Sequence, residues 1–376
     1  MTVKKNICIT INSLAPGGAE KQSLLLAKAL KPYHNTTVVI INPQPIYKQH
    51  IAVIEKEDIN HIFLAKNPIK KIREFTGFLK KQQIDIIFSF LPADTIWASI
   101  CGKIANVPYI LGGIRNSHIA YIKYAALRFA NNYLLDYTIA NNYAAYEAAI
   151  KFGFKKNIMV APNGIEMRPM LHRQDSAKNH ITIISVGRLV KQKAYEIALQ
   201  AIVELKNTLN NDYSIKYRIV GSGPEQQNIE AFIERNKLKD EVELITDPSN
   251  IYDLLESSDI YLSTSTFEGI SNSILEAMNC AMPIVATDAG DNSRLVIHGK
   301  NGFITTIDDS QKIADYLGEL IKSRTLTHQM GLESYDHLVK CYSFEQFQNL
   351  YRNIIHHIEK MQIHNGTPYF MNDMND

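Results

Sequence analysis

Cysteine is scarce in this chain, with four in 376 residues. Cys8, Cys101, Cys280 and Cys341 form no CxxC pair and keep no metal-ligand spacing, which excludes a disulfide framework and fits a reducing compartment. No apolar run is long enough to span a bilayer, and Met1–Lys5 leads only into a short apolar stretch, so neither a membrane span nor a cleaved leader is expected. Neither a dinucleotide GxGxxG nor a Walker GxxxxGK stands at a strand–helix junction. A DxD metal motif is missing too, since Asp308-Asp309 falls in a late loop. His356-His357, the one adjacent histidine pair, sits on a predicted helix without further ligands.

What is present is a globular composition, 45% hydrophobic and 21% charged, at a length that suits two domains. The net charge of +2 hides an asymmetry. Met1–Ile165 carries 20 basic against 9 acidic residues, and the remainder 20 against 29. Such a split points to different partners for the two halves, and the basic half should meet something anionic.

Asn6–Asn12, Thr36–Ile41, Ile84–Phe90, Tyr109–Ile114 and Tyr137–Asn141 read as buried parallel strands. Helical patterns lie between them: Ala19–Leu30, Asp94–Ala105 and Ile119–Leu135. After the turn signal Ala161-Pro162-Asn163-Gly164 and a polar stretch, the alternation restarts with Ile181–Val186, Tyr217–Val220, Val242–Thr246, Ile260–Ser265 and Pro283–Thr287. Strand–helix alternation of this kind predicts two Rossmann-like, doubly wound α/β domains facing a central cleft. The expected division is 1–165, 166–342, and a terminal helix with a loose tail over 343–376.

Ligands in such sheets bind beyond the carboxyl ends of the strands, so the loops there are the candidates. The most informative is Ser263–Met282, STSTFEGISNSILEAMNCAM. It leaves a strand, turns through Phe267-Glu268-Gly269, and opens a helix near Ser271 or Asn272. A helix start offers unpaired N–H groups to phosphate, and Glu268 and Glu276 can accept hydrogen bonds from sugar hydroxyls. A plain strand–turn–helix with two solvated glutamates would have the same local pattern. Pro16-Gly17-Gly18-Ala19-Glu20 lets backbone approach a phosphate closely, though a simple tight turn reads alike. In Gly187-Arg188-Leu189-Val190-Lys191-Gln192-Lys193, the cations Arg188 and Lys193 can together neutralise a diphosphate. Val220-Gly221-Ser222-Gly223-Pro224 is a further strand–glycine–helix junction whose backbone can touch a ligand.

Taken in order, these loops resemble the retaining glycosyltransferases of family 4, which have the GT-B fold. The family's paired glutamates match Glu268 and Glu276, its GRL…K element Arg188 and Lys193, its N-terminal GGAE loop Gly17–Glu20, and its PNGI hinge Pro162–Ile165. The resemblance implies that Arg188 and Lys193 bind the donor diphosphate, with Glu276 on the ribose and Glu268 on the transferred sugar. Gly17, Gly18, Gly221 and the backbone of Gly269, Ile270, Ser271, Asn272, Ser273 and Ile274 would complete the donor site. It also implies retention of anomeric configuration without an attacking carboxylate, no metal, and no cofactor besides a nucleotide-sugar, UDP-sugar by default. Relatives place a histidine after an N-domain strand to touch the donor sugar. Here Arg115, Asn116 or His118 would contact sugar or acceptor. Three positions depart from the pattern: Ala194 and Ala281 stand where many relatives have glycine, and Arg294 where many have an acid.

The expected substrate is a hexose or N-acetylhexosamine carried to a glycan acceptor in bacterial surface polysaccharide, lipopolysaccharide or glycan assembly. The basic half suggests a lipid-linked anionic acceptor and a peripheral position at an anionic membrane surface, the inner face of the cytoplasmic membrane, rather than nucleic acid. Lys66–Lys81 and Tyr121–Arg128 both combine cations with apolar and aromatic residues at helical spacing. An apolar stripe buried in the domain core would give the same pattern. A GT-B nucleotide-sugar epimerase and a non-catalytic glycan- or lipid-binding protein are the alternatives.

Overall fold

The computed structural model describes residues 4–116, 120–155, 157–170, 179–209, 213–246, 248 and 250–361. It divides into two units, Met1–Ile165 with Phe344–Asp376, and Glu166–Ser343.

The strands of the first unit are β1 (Asn6–Ile11), β2 (Asn35–Ile40), β3 (His61–Phe63), β4 (Ile86–Ser89), β5 (Tyr109–Ile114), β6 (Tyr137–Ala140) and β7 (Ile158–Val160). They pair in parallel, in the order β3-β2-β1-β4-β5-β6-β7. Side chains alternate across the sheet: Ile7, Ile9 and Ile11 enter one core cluster while Cys8 enters the other. The connecting helices are α1 (Gly18–Leu30), α2 (Lys48–Lys56), α3 (Pro68–Lys81), α4 (Pro92–Ala105), α5 (Tyr121–Tyr133) and α6 (Tyr143–Lys151). Local chemistry sets their starts. Asn67 caps α3 by accepting from the N–H groups of Ile69 and Lys70 at 3.0 and 3.1 Å, with Pro68 in the first turn. Asp94 closes the start of α4, accepting from Phe90 N and Leu91 N at 2.7 and 2.9 Å. Burial pushes the Asp94 carboxyl up to about 7 against the pull of those two donors.

The second unit holds β8 (His180–Val186), β9 (Ser214–Val220), β10 (Val242–Ile245), β11 (Ile260–Ser263), β12 (Ile284–Thr287) and β13 (Gly302–Thr305). All pairs are again parallel, in the order β10-β9-β8-β11-β12-β13. Its helices are α7 (Tyr195–Thr208), α8 (Gln226–Arg235), α9 (Ile251–Glu256), α10 (Asn272–Asn279), α11 (Asn292–Leu295), α12 (Ser310–Lys322) and α13 (Arg324–Tyr342). The strand order reverses between β8 and β11, so the loops that follow these two strands flank a topological switch point.

β3, β7 and β13 were not among the expected strands. The first two are three-residue edges, too short to show a period, and β13 opens on Gly302. A Cβ there would run into the Ile284 carbonyl.

The terminal helix α14 (Phe344–Met361) belongs to the first unit. Phe347, Tyr351, Ile354, Ile355 and Ile358 enter the same cluster as β1 and α1, and Tyr351 meets Phe88 edge-on at 5.7 Å. Ile358 is wholly buried. Its truncation to alanine is expected to lower the unfolding free energy by about 2–5 kcal/mol, read by denaturant titration. A cost under about 0.5 kcal/mol, that of an exposed site, would contradict this packing.

Candidate active site

The two loops at the switch point of the second unit are built around close backbone approaches. Gly187 N donates to Val220 O, Leu189 N to Ser222 O, and Glu225 N to Leu189 O, each at 2.9 Å. This contact requires glycine at 221, where φ is +148° and a Cβ would collide with the Gly187 carbonyl. Beneath the turn lie buried tyrosines. Tyr195 donates to Gly187 O at 3.1 Å and Tyr261 to Val186 O at 3.2 Å. Desolvation, then the neighbouring Tyr217, Tyr261 and Glu268, raises the Tyr195 phenol well above its ordinary value, so it stays a hydrogen-bond donor. Arg188 leaves this turn exposed; its carbonyl accepts from Val190 N at 2.9 Å, and its guanidinium makes no hydrogen bond or ion pair with any described residue.

Residues 191–194 continue as a single 3-10 turn (Lys191–Lys193) stitched to the loop after β11. Thr266 N donates to Gln192 O at 2.8 Å and Gln192 Nε2 to Phe267 O at 2.7 Å. Thr264 Oγ1 donates to the carbonyls of Lys193 and Ala194 at 2.9 and 3.1 Å. The stitching sets Lys193 Nζ against Glu268 Oε1 at 2.5 Å, with the side chains 18% and 11% exposed. Ser265 donates to the same oxygen at 2.7 Å. One carboxylate oxygen thus carries two donors, one of them charged, in a place with little water. From behind, the 289–291 turn presses on the Glu268 backbone, where a Cβ on Gly290 (φ +63°) would collide with the Glu268 carbonyl.

α10 starts at the same place. Ser271 occupies its N-cap position without a side-chain cap bond, its hydroxyl lying 3.2 Å from that of Ser273. Ile270, Ser271 and Ile274 are buried, and Gly269, Asn272 and Ser273 half-buried. Glu276 is buried one turn into the helix, close enough to Tyr252 and Tyr261 to raise both phenols further after desolvation. The structure therefore gathers Arg188, Lys193, Gly221, Glu268, the start of α10 and Glu276 around the ends of β8, β9 and β11. An exposed cation, a second cation balanced by a glutamate, and a helix start suit a phosphorylated, hydroxyl-rich ligand.

The other candidates lie in the first unit. Gly17 precedes α1 in extended conformation, and Glu20 folds back so that its carboxylate lies where a Gly17 Cβ would stand. Gly18 opens the helix and is exposed. Arg115 turns inward: Nη1 donates to Asn163 at 2.9 Å, the guanidinium lies 4.1 Å over the Phe90 ring, and Tyr351 is a further hydrogen-bond partner. It ties the end of β5 to the 162–164 turn and to α14. Asn116 is half-buried, and His118 lies outside the described residues. Among the described residues no group of three His, Cys, Asp or Glu stands close enough to hold a metal.

The expectations from sequence did not include Ser265, Gln192, Thr264, Tyr195 or Tyr261. Ser265 at the strand end carried a usable signal, as a hydroxyl three positions before Glu268. The tyrosines carried none, since a buried phenol and a packing ring look alike in sequence.

Two departures from the family pattern now have a backbone meaning. Ala194 (φ +45°, ψ +47°) and Ala281 (φ +50°) both sit in the left-handed region, where glycine rests without strain. Arg294 is exposed and faces Asp291 at 3.9 Å. Left-handed alanine costs about 1–2 kcal/mol, and glycine's greater freedom when unfolded takes back about 0.4–1. Ala194→Gly and Ala281→Gly are each expected to stabilise the protein by about 0.5–1 kcal/mol in denaturant unfolding. Destabilisation by either would contradict the backbone geometry.

Residues 169–337 match the family model described as Glycosyl transferases group 1. A provisionally named colanic acid biosynthesis glycosyltransferase of Salmonella typhimurium is 30% identical over 173 residues, 44% of this chain and 42% of that protein. The N-acetylgalactosamine-N,N'-diacetylbacillosaminyl-diphospho-undecaprenol 4-alpha-N-acetylgalactosaminyltransferase of Campylobacter jejuni is 24% identical over 341 residues, 85% of this chain and 90% of that protein. The chain thus spans less than half the length of the Salmonella protein and most of the Campylobacter one. Among solved structures, Anabaena HepE in complex with UDP-glucose superposes with a TM-score of 0.80 at 20% identity, covering 94% of this chain and 99% of that one. At that identity the likeness is one of fold, the GT-B fold.

Proposed function

We propose that the chain is a glycosyltransferase of the GT-B fold that moves a hexose or N-acetylhexosamine, with retention, from a UDP-sugar to a glycan acceptor of the bacterial surface. The match of residues 169–337 to the group 1 glycosyl transferases and the likeness in fold to Anabaena HepE support the reading. The observation that carries the reading is Glu268 Oε1 held at once by Lys193 and Ser265, beside the unpartnered Arg188 at a switch point. Arg188 meets the diphosphate first, as a forked donor. Lys193 shares its charge between the incoming phosphate and Glu268, and stabilises the leaving group as negative charge builds on it. Glu276 accepts from the ribose hydroxyls, and backbone N–H groups at the start of α10 hold phosphate and sugar.

In this reading Glu268 does not attack: its Oε1 is already held by an ammonium and a hydroxyl, which fixes the orientation of the carboxylate. Its role is to accept hydrogen bonds from the transferred sugar. The C1–phosphate bond breaks, the acceptor oxygen bonds to C1 on the same face, and the departing phosphate takes the acceptor proton. No metal enters these steps.

The acceptor is assigned to the first unit, whose stretch 1–165 has the excess of positive charge. An anionic, lipid-linked glycan at the inner face of the cytoplasmic membrane fits that charge, and the Campylobacter relative is named for an undecaprenol-linked substrate. No helix among the described residues is long and apolar enough to cross a membrane.

Glu268→Ala is expected to lower sugar transfer and donor hydrolysis by about a hundredfold or more while leaving UDP affinity within about threefold. Arg188→Ala is expected to weaken UDP binding by about tenfold, read by calorimetry. Full turnover in Glu268→Ala would remove the assignment.

A further inference from the structure

Helix α5 is apolar on two sides. Tyr124 and Leu127 face inward and pack with Ile114, Ala145 and Ala149, and Ala130 enters the neighbouring cluster with Ile110 and Leu135. The opposite stripe runs through Ile122, Ala126, Phe129 and Tyr133, at successive helical spacings, and all four are exposed. Ile122 is 78% exposed, Phe129 56% and Tyr133 69%. Phe129 and Tyr133 rest on each other with ring centroids 5.1 Å apart, which joins the two rings at one end of the stripe. A helix with apolar residues all round is normally covered on both sides. Exposed apolar surface of this kind marks an interaction site.

We infer that the outer face of α5, with Ile122, Phe129 and Tyr133 at its centre and Lys123 and Arg128 at its edges, docks this protein onto an anionic lipid bilayer. The inference deepens the membrane part of the proposed function and rests on it. Charge selects the occupant. Lys123 and Arg128 are exposed, the helix carries no acidic residue, and Met1–Ile165 holds 20 basic against 9 acidic residues. A second copy of the chain would bring like charge against like charge, whereas phospholipid headgroups complement it. Residue type agrees. Ile122 and Phe129 suit the boundary of the acyl chains, and Tyr133 has a ring to bury and a hydroxyl to leave among headgroups.

The other basic helix does not offer such a face. On α3 the side chains of Ile72, Phe75, Phe78 and Leu79 pack into the core, and Lys71 bonds to Asn42 at 2.8 Å and lies over Trp97. Only Ile69 remains as an exposed large apolar residue there, beside solvated lysines. The α3 lysines add long-range attraction, and α5 provides the contact.

The test is co-sedimentation of the full chain with vesicles of phosphatidylcholine alone, or mixed with phosphatidylglycerol, at low salt. The wild type is expected to prefer the anionic vesicles, and Ile122→Ser with Phe129→Ser to lower that partition about tenfold or more. Ile69→Ser should leave it within about twofold, because an isolated side chain adds little apolar area. Thermal unfolding and UDP titration of the double variant accompany the assay. Unchanged values for both show that the fold and the donor site survive, so a failure of docking is separable from a failure of the transferase reading. Equal partition of wild type and double variant would overturn the inference, as would equal binding to both vesicle types. So would a wild-type dimer that the double variant converts to monomer, which would give the face to a second copy.

Discussion

The second unit depends on one half-buried ion pair, Lys193 with Glu268, and on the backbone contacts that force it to form. Two charged groups in a place with little water are stable only when each is matched. Here the match comes from elements distant in sequence: a 3-10 turn after β8 and the loop after β11, joined through Gln192, Thr264 and Thr266. Glycine at 221 and 290 allows main chain to approach main chain, and Tyr195 and Tyr261 hold the carbonyls of the 186–187 turn from below. Arg188 is the one member of the constellation left to solvent. The result is a pair of cross-linked loops with the Arg188 guanidinium uncommitted at their edge, an arrangement suited to receive an anion.

That arrangement also fits the proposed transfer, in which the central carboxylate does not attack. Ser265 and Lys193 both hold Glu268 Oε1 and so fix its orientation. In the proposed reaction, an orienting carboxylate and a pair of diphosphate cations would leave proton transfer to the phosphate itself.

Much of this was legible in the chain, for identifiable reasons. Parallel strands buried on both faces are continuous β-branched runs, so the central strands of both sheets were readable, whereas β3 and β7, with three residues each, were not. Glycines and charges at strand ends are conspicuous, and Arg188, Lys193, Gly221, Glu268 and Glu276 do converge around one set of strand ends. Arg115 shows the limit. Its partners Asn163 and Tyr351 come from remote positions, so nothing local distinguishes a strand-end arginine that reaches for a ligand from one that locks a turn. Lys66–Lys81 shows the same limit. Its cations and apolar residues were visible, but only packing reveals that the stripe on α3 is consumed by the core while that on α5 is not. Ala194 and Ala281 were visible as departures, and their left-handed backbone gives the reason glycine is suited there.

The central claim is that a nucleotide-sugar binds at the ends of β8 and β11, gripped by Arg188 and Lys193. Hydrogen–deuterium exchange of the full chain with and without UDP-glucose tests it most directly, since bound ligand suppresses local opening where it makes contact. Slowed exchange concentrated in 187–194 and 264–276 is the predicted result. Unchanged exchange in both segments, while protection appears elsewhere, would contradict it.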